Sequence, residues 1–186
     1  IEAAAALSQS EIGLISASIA KDIARIAKSG KITAKRIKQL EAKSDHDTAA
    51  LVEALAEKCN KESRPWIHYG LTSNDLVDTS NSMQMRDAIK IIQPKVSKLS
   101  LILAKNAVKH QSVPAVGRTH GQHASIISFG LKFANWASEM STHLERLDEI
   151  KKRVLICKTL GVVGTGSLMG KNALKVQERV AKKLSL

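Results

Sequence analysis

The stretch Val113-Pro-Ala-Val-Gly-Arg-Thr-His-Gly-Gln-His-Ala124 carries two of the chain's six histidines and lies just ahead of a long amphipathic run. At its centre Gly117 and Gly121 flank Arg118, Thr119 and His120. Glycine frees the backbone and lets a ligand come close, while Thr119 offers a hydroxyl and His120 a proton carrier with an unperturbed pKa of about 6.5. These are the parts of an acid/base loop. An ordinary inter-helix turn, with its histidine serving as a cap or as a satisfied core residue, would use the same parts. A second cluster, His68-Tyr-Gly-Leu-Thr-Ser-Asn-Asp75, favours chemistry. Thr72 or Ser73 fits a helix N-cap, with Asp75 in the first turn behind it and His68 on the incoming loop. Two hydroxyls, unpaired amides and an imidazole converge there, which suits a substrate carboxylate, although the same residues can simply cap the helix.

A third group, Ser44-Asp45-His46-Asp47, precedes a helix predicted from Thr48 to about residue 61. Ser44 or Asp45 fits its N-cap, which puts His46 and Asp47 in the first turn; His46 is either a neighbour of the cap or an anion ligand, and spacing favours the cap. The run Gly161-Val-Val-Gly-Thr-Gly-Ser-Leu-Met-Gly170-Lys171 invites a phosphate-loop reading. That motif needs four residues between its glycines and Ser or Thr after the lysine, whereas Gly164 and Gly170 enclose five and Asn172 follows. A glycine loop before a final helix, about 172–184, fits better.

The elements that must hold these groups read as helices. Leu7, Ile12, Ile15, Ile19, Ile23 and Ile26 form one apolar stripe through about residue 28, ended by Ser29-Gly30. Thr33 caps a short helix carrying Ile37 and Leu40. A very long helix is predicted from Thr72 or Ser73 to about Lys109, kinked at Pro94. After the loop 111–122, residues 124–156 carry Ile127, Leu131, Ala134, Ala137, Met140 and Leu144 on one face of a helix about 45 Å long. Helices this long and this broadly apolar call for self-association. The expected fold is all-α: a small helical amino-terminal domain over residues 1–70, followed over 71–186 by long helices of an elongated bundle. The chain begins at Ile1, already inside a helical pattern, so it reads as a piece of something longer, incomplete at its start and truncated at its end.

Composition narrows the function. Aromatic residues make up only 3% of the 186, and the net charge is +12. The segments 21–43 and 151–183 hold 17 of the 29 Lys and Arg. That balance suits small anionic substrates or polyanions, but most of these cations read as solvated helix faces, and one Tyr with two Phe leaves little for base stacking, so nucleic-acid binding is not expected. Cys59 and Cys157 have no metal-ligand spacing and read as reduced thiols. No apolar run spans a bilayer, and a soluble cytoplasmic protein without membrane partners is expected.

His68-Tyr-Gly-Leu-Thr-Ser-Asn-Asp-Leu-Val-Asp-Thr79, Gly117-Arg-Thr-His-Gly-Gln122 and Phe129-Gly-Leu-Lys-Phe-Ala134 together closely resemble the adenylosuccinate lyase family of the fumarase/aspartase superfamily. The opening helix, 44–47 and Leu160-Gly-Val-Val-Gly-Thr165 fall in the same order, so the resemblance covers essentially the whole chain. It implies a homotetrameric helical bundle with active sites built from several subunits, and no metal or organic cofactor. It also implies β-elimination of fumarate from adenylosuccinate, giving AMP, and from the succinyl-carboxamide ribotide of purine synthesis. Carried over by motif, His120 matches the general acid. Thr72 and Ser73 match ligands of the succinyl portion, Thr119 beside the acid is a further substrate-binding candidate, and His68 matches a substrate-contacting histidine. Asp45, His46 and Asp47 match a binding triplet. The serine that acts as general base is expected beyond residue 186. Two other readings remain: another superfamily member, such as an argininosuccinate lyase or carboxymuconate cycloisomerase, and a basic helical module that binds nucleic acid or a partner helix.

Overall fold

A computed structural model describes residues 1–186. Seven helices carry the chain: α1 Glu2–Glu11, α2 Ala17–Ala27, α3 Ala34–Ser44, α4 Asp47–Lys58, α5 Ser73–Lys109, α6 Phe129–Val154 and α7 Ala173–Leu184. The only sheet is a hairpin between α5 and α6, made of β1 Pro114–Thr119 and β2 Gln122–Ser128. The residues group into two compact units, 1–84 with 155–186, and 85–154. No helix is long and apolar enough to cross a membrane.

In the first unit the single opening stripe proves to be two helices. Gly13 takes a φ of 77°, and the Ser16 side chain then caps α2 by accepting from the Ile19 N–H. The stripe survives this break because both helices turn their apolar residues to one core, where Ala6 meets Ile15, Ile23 and Leu55. α7 returns to the other side of α1, burying Val176 and Val180 against Ala4, Ala5, Leu71 and Leu76. Thr33 caps α3 as expected, accepting from the Arg36 N–H at 3.2 Å.

Buried Asp22 anchors the turn that follows α4. Its carboxylate accepts from Arg25 at 2.6 Å and from the Asn60 N–H at 2.9 Å. Burial alone would raise its pKa, but the bonds from Asn60, Ser63 and Arg25 outweigh burial and hold it below the usual value. Burial pushes the neighbouring Cys59 thiol up to about 11, with the Asp22 charge adding to the effect. Cys59 is therefore a neutral core residue and no nucleophile near neutral pH.

In the second unit α5 continues through Pro94 as one helix and runs antiparallel to α6. Gln93 Nε2 donates to Asp148 at 2.9 Å, Lys151 Nζ donates to Gln93 at 2.6 Å, and further along Ser100 Oγ donates to the Ala137 carbonyl at 3.4 Å. At the far end Gly130 sits so close to the Ala107 carbonyl that a Cβ there would collide with it.

Residues 114–128, expected as a loop and then the start of the long helix, form antiparallel strands instead. Their register runs from Pro114 opposite Ser128 to Thr119 opposite Gln122, with one residue of β2 bulged out between Ser125 and His123. The strand base is closed by the Phe129 N–H donating to the Val113 carbonyl at 2.7 Å and by Ser128 Oγ donating to Gln111 at 2.6 Å. α6 consequently starts at Phe129, not at residue 124.

Asp22 gives a test of the first unit. Its folded pKa lies below the unfolded value of about 3.9, so its contribution to stability is complete above that pH and is lost as pH falls through the folded value. Asp22→Asn should lower the urea midpoint by an amount that is constant near neutrality and shrinks below about pH 4. A difference that widens in acid would contradict this role.

Candidate active site

Helix α5 begins at Ser73, which makes Thr72 its N-cap. The hydroxyls do not do the capping. Asp75, fully buried three residues on, reaches back so that its Oδ2 accepts the Thr72 N–H at 3.0 Å, the reciprocal half of a capping box. The same Oδ2 accepts the Gly161 N–H at 2.8 Å, while Oδ1 has no hydrogen-bond partner. Gly161 has a φ of 80°, and a Cβ there would come within 3.2 Å of the Gly70 carbonyl oxygen. The glycine loop thus packs behind Gly70–Thr72 and supports it from below. Thr72 and Ser73 are half-buried and their hydroxyls are left to other partners.

His68 is held from α1. Its backbone N–H donates to Glu2 Oε2 at 3.0 Å, and its Nδ1 lies 2.7 Å from Glu2 Oε1. Gln9, one more residue of α1 and 1% exposed, donates to the Tyr69 carbonyl at 2.7 Å. Two buried polar side chains of one helix therefore fix consecutive residues of the incoming loop. The φ of His68 is 62°, a left-handed conformation that such bonds must maintain.

His46 is itself the N-cap of α4, in place of Ser44 or Asp45: its Nδ1 accepts the Ala49 N–H at 3.3 Å. Imidazole is not among the usual caps, but it reaches because His46 is extended, with φ −144° and ψ 110°. Asp45 instead ends α3, left-handed at φ 50°. Asp47 is the first residue of α4 and turns its carboxylate onto the Thr48 N–H at 2.6 Å. His46, His68 and Ser73 line one cleft of about 300 Å³, with Thr48, Val52 and Glu53. Asp45, Asp47 and Thr72 are not among its lining residues.

The remaining two candidates belong to the second unit. Thr119 ends β1 and His120 with Gly121 forms the two-residue turn. Their φ values of 51° and 75° are both positive, as a type I′ hairpin turn requires. Arg118, Thr119 and His120 are all exposed, so the ribbon carries its acid/base candidate at the tip of the two-residue turn. Sequence reasoning missed Glu2 and Gln9; no local pattern marks either one, because their partners lie about sixty residues further along the chain.

Asp75→Ala would leave two half-buried N–H groups, those of Thr72 and Gly161, without their acceptor and should cost about 2 kcal/mol in urea unfolding. Unchanged stability would mean that another group caps α5.

A family model described as lyase matches residues 1–186. The adenylosuccinate lyase of Methanocaldococcus jannaschii is 44% identical over 186 residues, which are 100% of this chain and 40% of that protein. The N-acetyl-S-(2-succino)cysteine lyase of Enterococcus italicus is 38% identical over 186 residues, 100% of this chain and 41% of its own length. Among solved structures, the 3-carboxy-cis,cis-muconate lactonizing enzyme from Pseudomonas putida superposes with a TM-score of 0.93 at 31% identity, over 100% of this chain and 43% of that one. The chain therefore spans about two fifths of the length of these curated relatives.

Proposed function

The chain belongs to the lyase family, with an all-α fold of the fumarase/aspartase type, and from that premise we propose that it forms part of an adenylosuccinate lyase of purine nucleotide biosynthesis. The observation that carries this reading is the 44% identity to the Methanocaldococcus jannaschii adenylosuccinate lyase over the whole chain. The same elimination applied to the succinyl-carboxamide ribotide is part of the proposal.

In this reading a base removes a proton from the carbon beside one succinyl carboxylate. The electron pair forms the double bond of fumarate, and the C–N bond breaks toward nitrogen. His120, as the imidazolium, gives its proton to the departing amine. The hydroxyls of Thr72 and Ser73 and the amino end of α5 hold a substrate carboxylate, a role supported by Ser73 lining the cleft. His46 and His68 receive other polar groups of the substrate in the cleft they share. Asp45 and Asp47 act through the placing of His46 between them, since carboxylates repel an anionic nucleotide. Thr119 sets the strand end from which His120 turns.

In this reading the base is a serine outside residues 1–186, and the chain supplies the acid side of the reaction. Self-association into a tetramer is supported by the apolar faces of the second unit, where Ile91, Leu101 and Val108 of α5 and Trp136 of α6 are at least half exposed. A cytoplasmic setting follows from the metabolic role.

A second reading has its own support in the 38% identity to the Enterococcus italicus lyase. Its named substrate shares the succinyl unit and replaces the nucleotide with an N-acetylcysteine thioether. The two readings use the same carboxylate site and differ in what fills the cleft.

Adenylosuccinate offered to the intact protein should yield fumarate and AMP, followed by absorbance. His120→Ala should lower turnover by about 10²–10⁴-fold without changing the unfolding midpoint. Full activity in that variant would remove His120 from the mechanism. Faster conversion of N-acetyl-S-(2-succino)cysteine would overturn the nucleotide assignment while leaving the elimination in place.

A further inference from the structure

The two histidines of the cleft are held in opposite ways. His46 Nδ1 accepts the Ala49 N–H, so the proton of its neutral ring sits on Nε2 and that nitrogen is a donor. His68 Nδ1 faces a carboxylate oxygen of Glu2 at 2.7 Å. A carboxylate oxygen accepts and does not donate, so the proton of that contact belongs to Nδ1, and Nε2 of the neutral ring carries a lone pair. Glu2 is buried, with 8% of its surface exposed, and its second oxygen takes the His68 backbone N–H. Both of its oxygens are thus committed to one residue, whose left-handed backbone they also stabilise.

We propose that Glu2 is a positioning residue that fixes the His68 tautomer, so that the cleft both residues line has an acceptor in His68 Nε2 and a donor in His46 Nε2. A ligand filling this cleft would need a matching pair: an oxygen acceptor for His46 and an N–H or O–H donor for His68. A fully ionised phosphate has only acceptors and would satisfy His46 alone. An amine, amide or hydroxyl of the substrate satisfies His68. This deepens the reading of the cleft as a substrate site and rests on it.

Glu2→Gln tests the proposal with little change in shape. The glutamine oxygen can still accept the His68 N–H, but its amide nitrogen now donates to Nδ1 and drives the ring proton to Nε2. In the intact protein, kcat/KM for adenylosuccinate should fall about 10²-fold, the scale seen when a histidine loses its orienting carboxylate elsewhere. In a His68→Ala background the same change should cost nothing further, because Glu2 acts through His68. Histidine ¹⁵N spectra of the wild-type protein should put the His68 proton on Nδ1, and those of Glu2→Gln should put it on Nε2.

A wild-type proton on Nε2, an unchanged kcat/KM in Glu2→Gln, or an equal loss in the His68→Ala background would each overturn the proposal. The wild-type spectrum decides the tautomer even where Glu2→Gln fails to fold. It also separates the two levels of inference. A wild-type protein that leaves adenylosuccinate intact, yet has its proton on Nδ1, would sink the substrate assignment and support the Glu2 to His68 arrangement.

Discussion

A carboxylate with no access to solvent must find donors or destabilise the fold by several kcal/mol. Asp75 finds two: the Thr72 N–H at the start of α5, three residues before it, and the Gly161 N–H in the glycine loop, 86 residues beyond it. One side chain therefore decides both where the long helix begins and where the returning chain crosses beneath it. The close packing of Gly161 on Gly70, and of Met169 against the space a Gly70 side chain would need, follows from that crossing. The side-chain bond that closes this helix start comes from Asp75, turned inward, and not from the hydroxyls of Thr72 or Ser73.

Backbone strain marks the same places. Four residues other than glycine have positive φ, and three of them are Asp45, His68 and His120. Each such conformation costs on the order of 1 kcal/mol or more and persists only where its surroundings leave no alternative. For His68 the constraint is the Glu2 carboxylate; for His120 it is the strand register on either side of a two-residue turn; for Asp45 it is the short passage from α3 into α4. The fold thus holds its two principal imidazoles in conformations that flexible loops would relax.

Much of the helical frame could be read from periodicity and caps, and the Thr33, Thr72 and Asn172 boundaries agree with the structure. The break at Gly13 was hidden because Ile12, Ile15 and Ile19 keep helical spacing straight across it. The hairpin was hidden for a related reason: Ile127 continues the stripe of α6 backward, and the exposed β2 lacks the alternation that a half-buried sheet imposes. His-Gly also replaces the Asn-Gly that usually announces a type I′ turn. The candidate histidines themselves were legible as residue types near glycines and helix ends. What fixes them was not, since Glu2 and Gln9 meet their partners only once α1 has packed against the 67–71 segment.

The place of α7 has a consequence for the order in which the molecule is made. α1 leaves the ribosome well before α7, yet one wall of its core is α7, and Glu11 is joined to Arg179 across 168 residues. Until α7 emerges, Ala4, Ala5, Leu71 and Leu76 have no Val176 or Val180 to cover them. At synthesis rates of about 5–20 residues per second this interval lasts about ten to thirty seconds. Maturation of the first unit is therefore gated by translation, with chaperones the natural guardians of the waiting surface, and a ribosome pausing between α6 and α7 would prolong its vulnerability to aggregation.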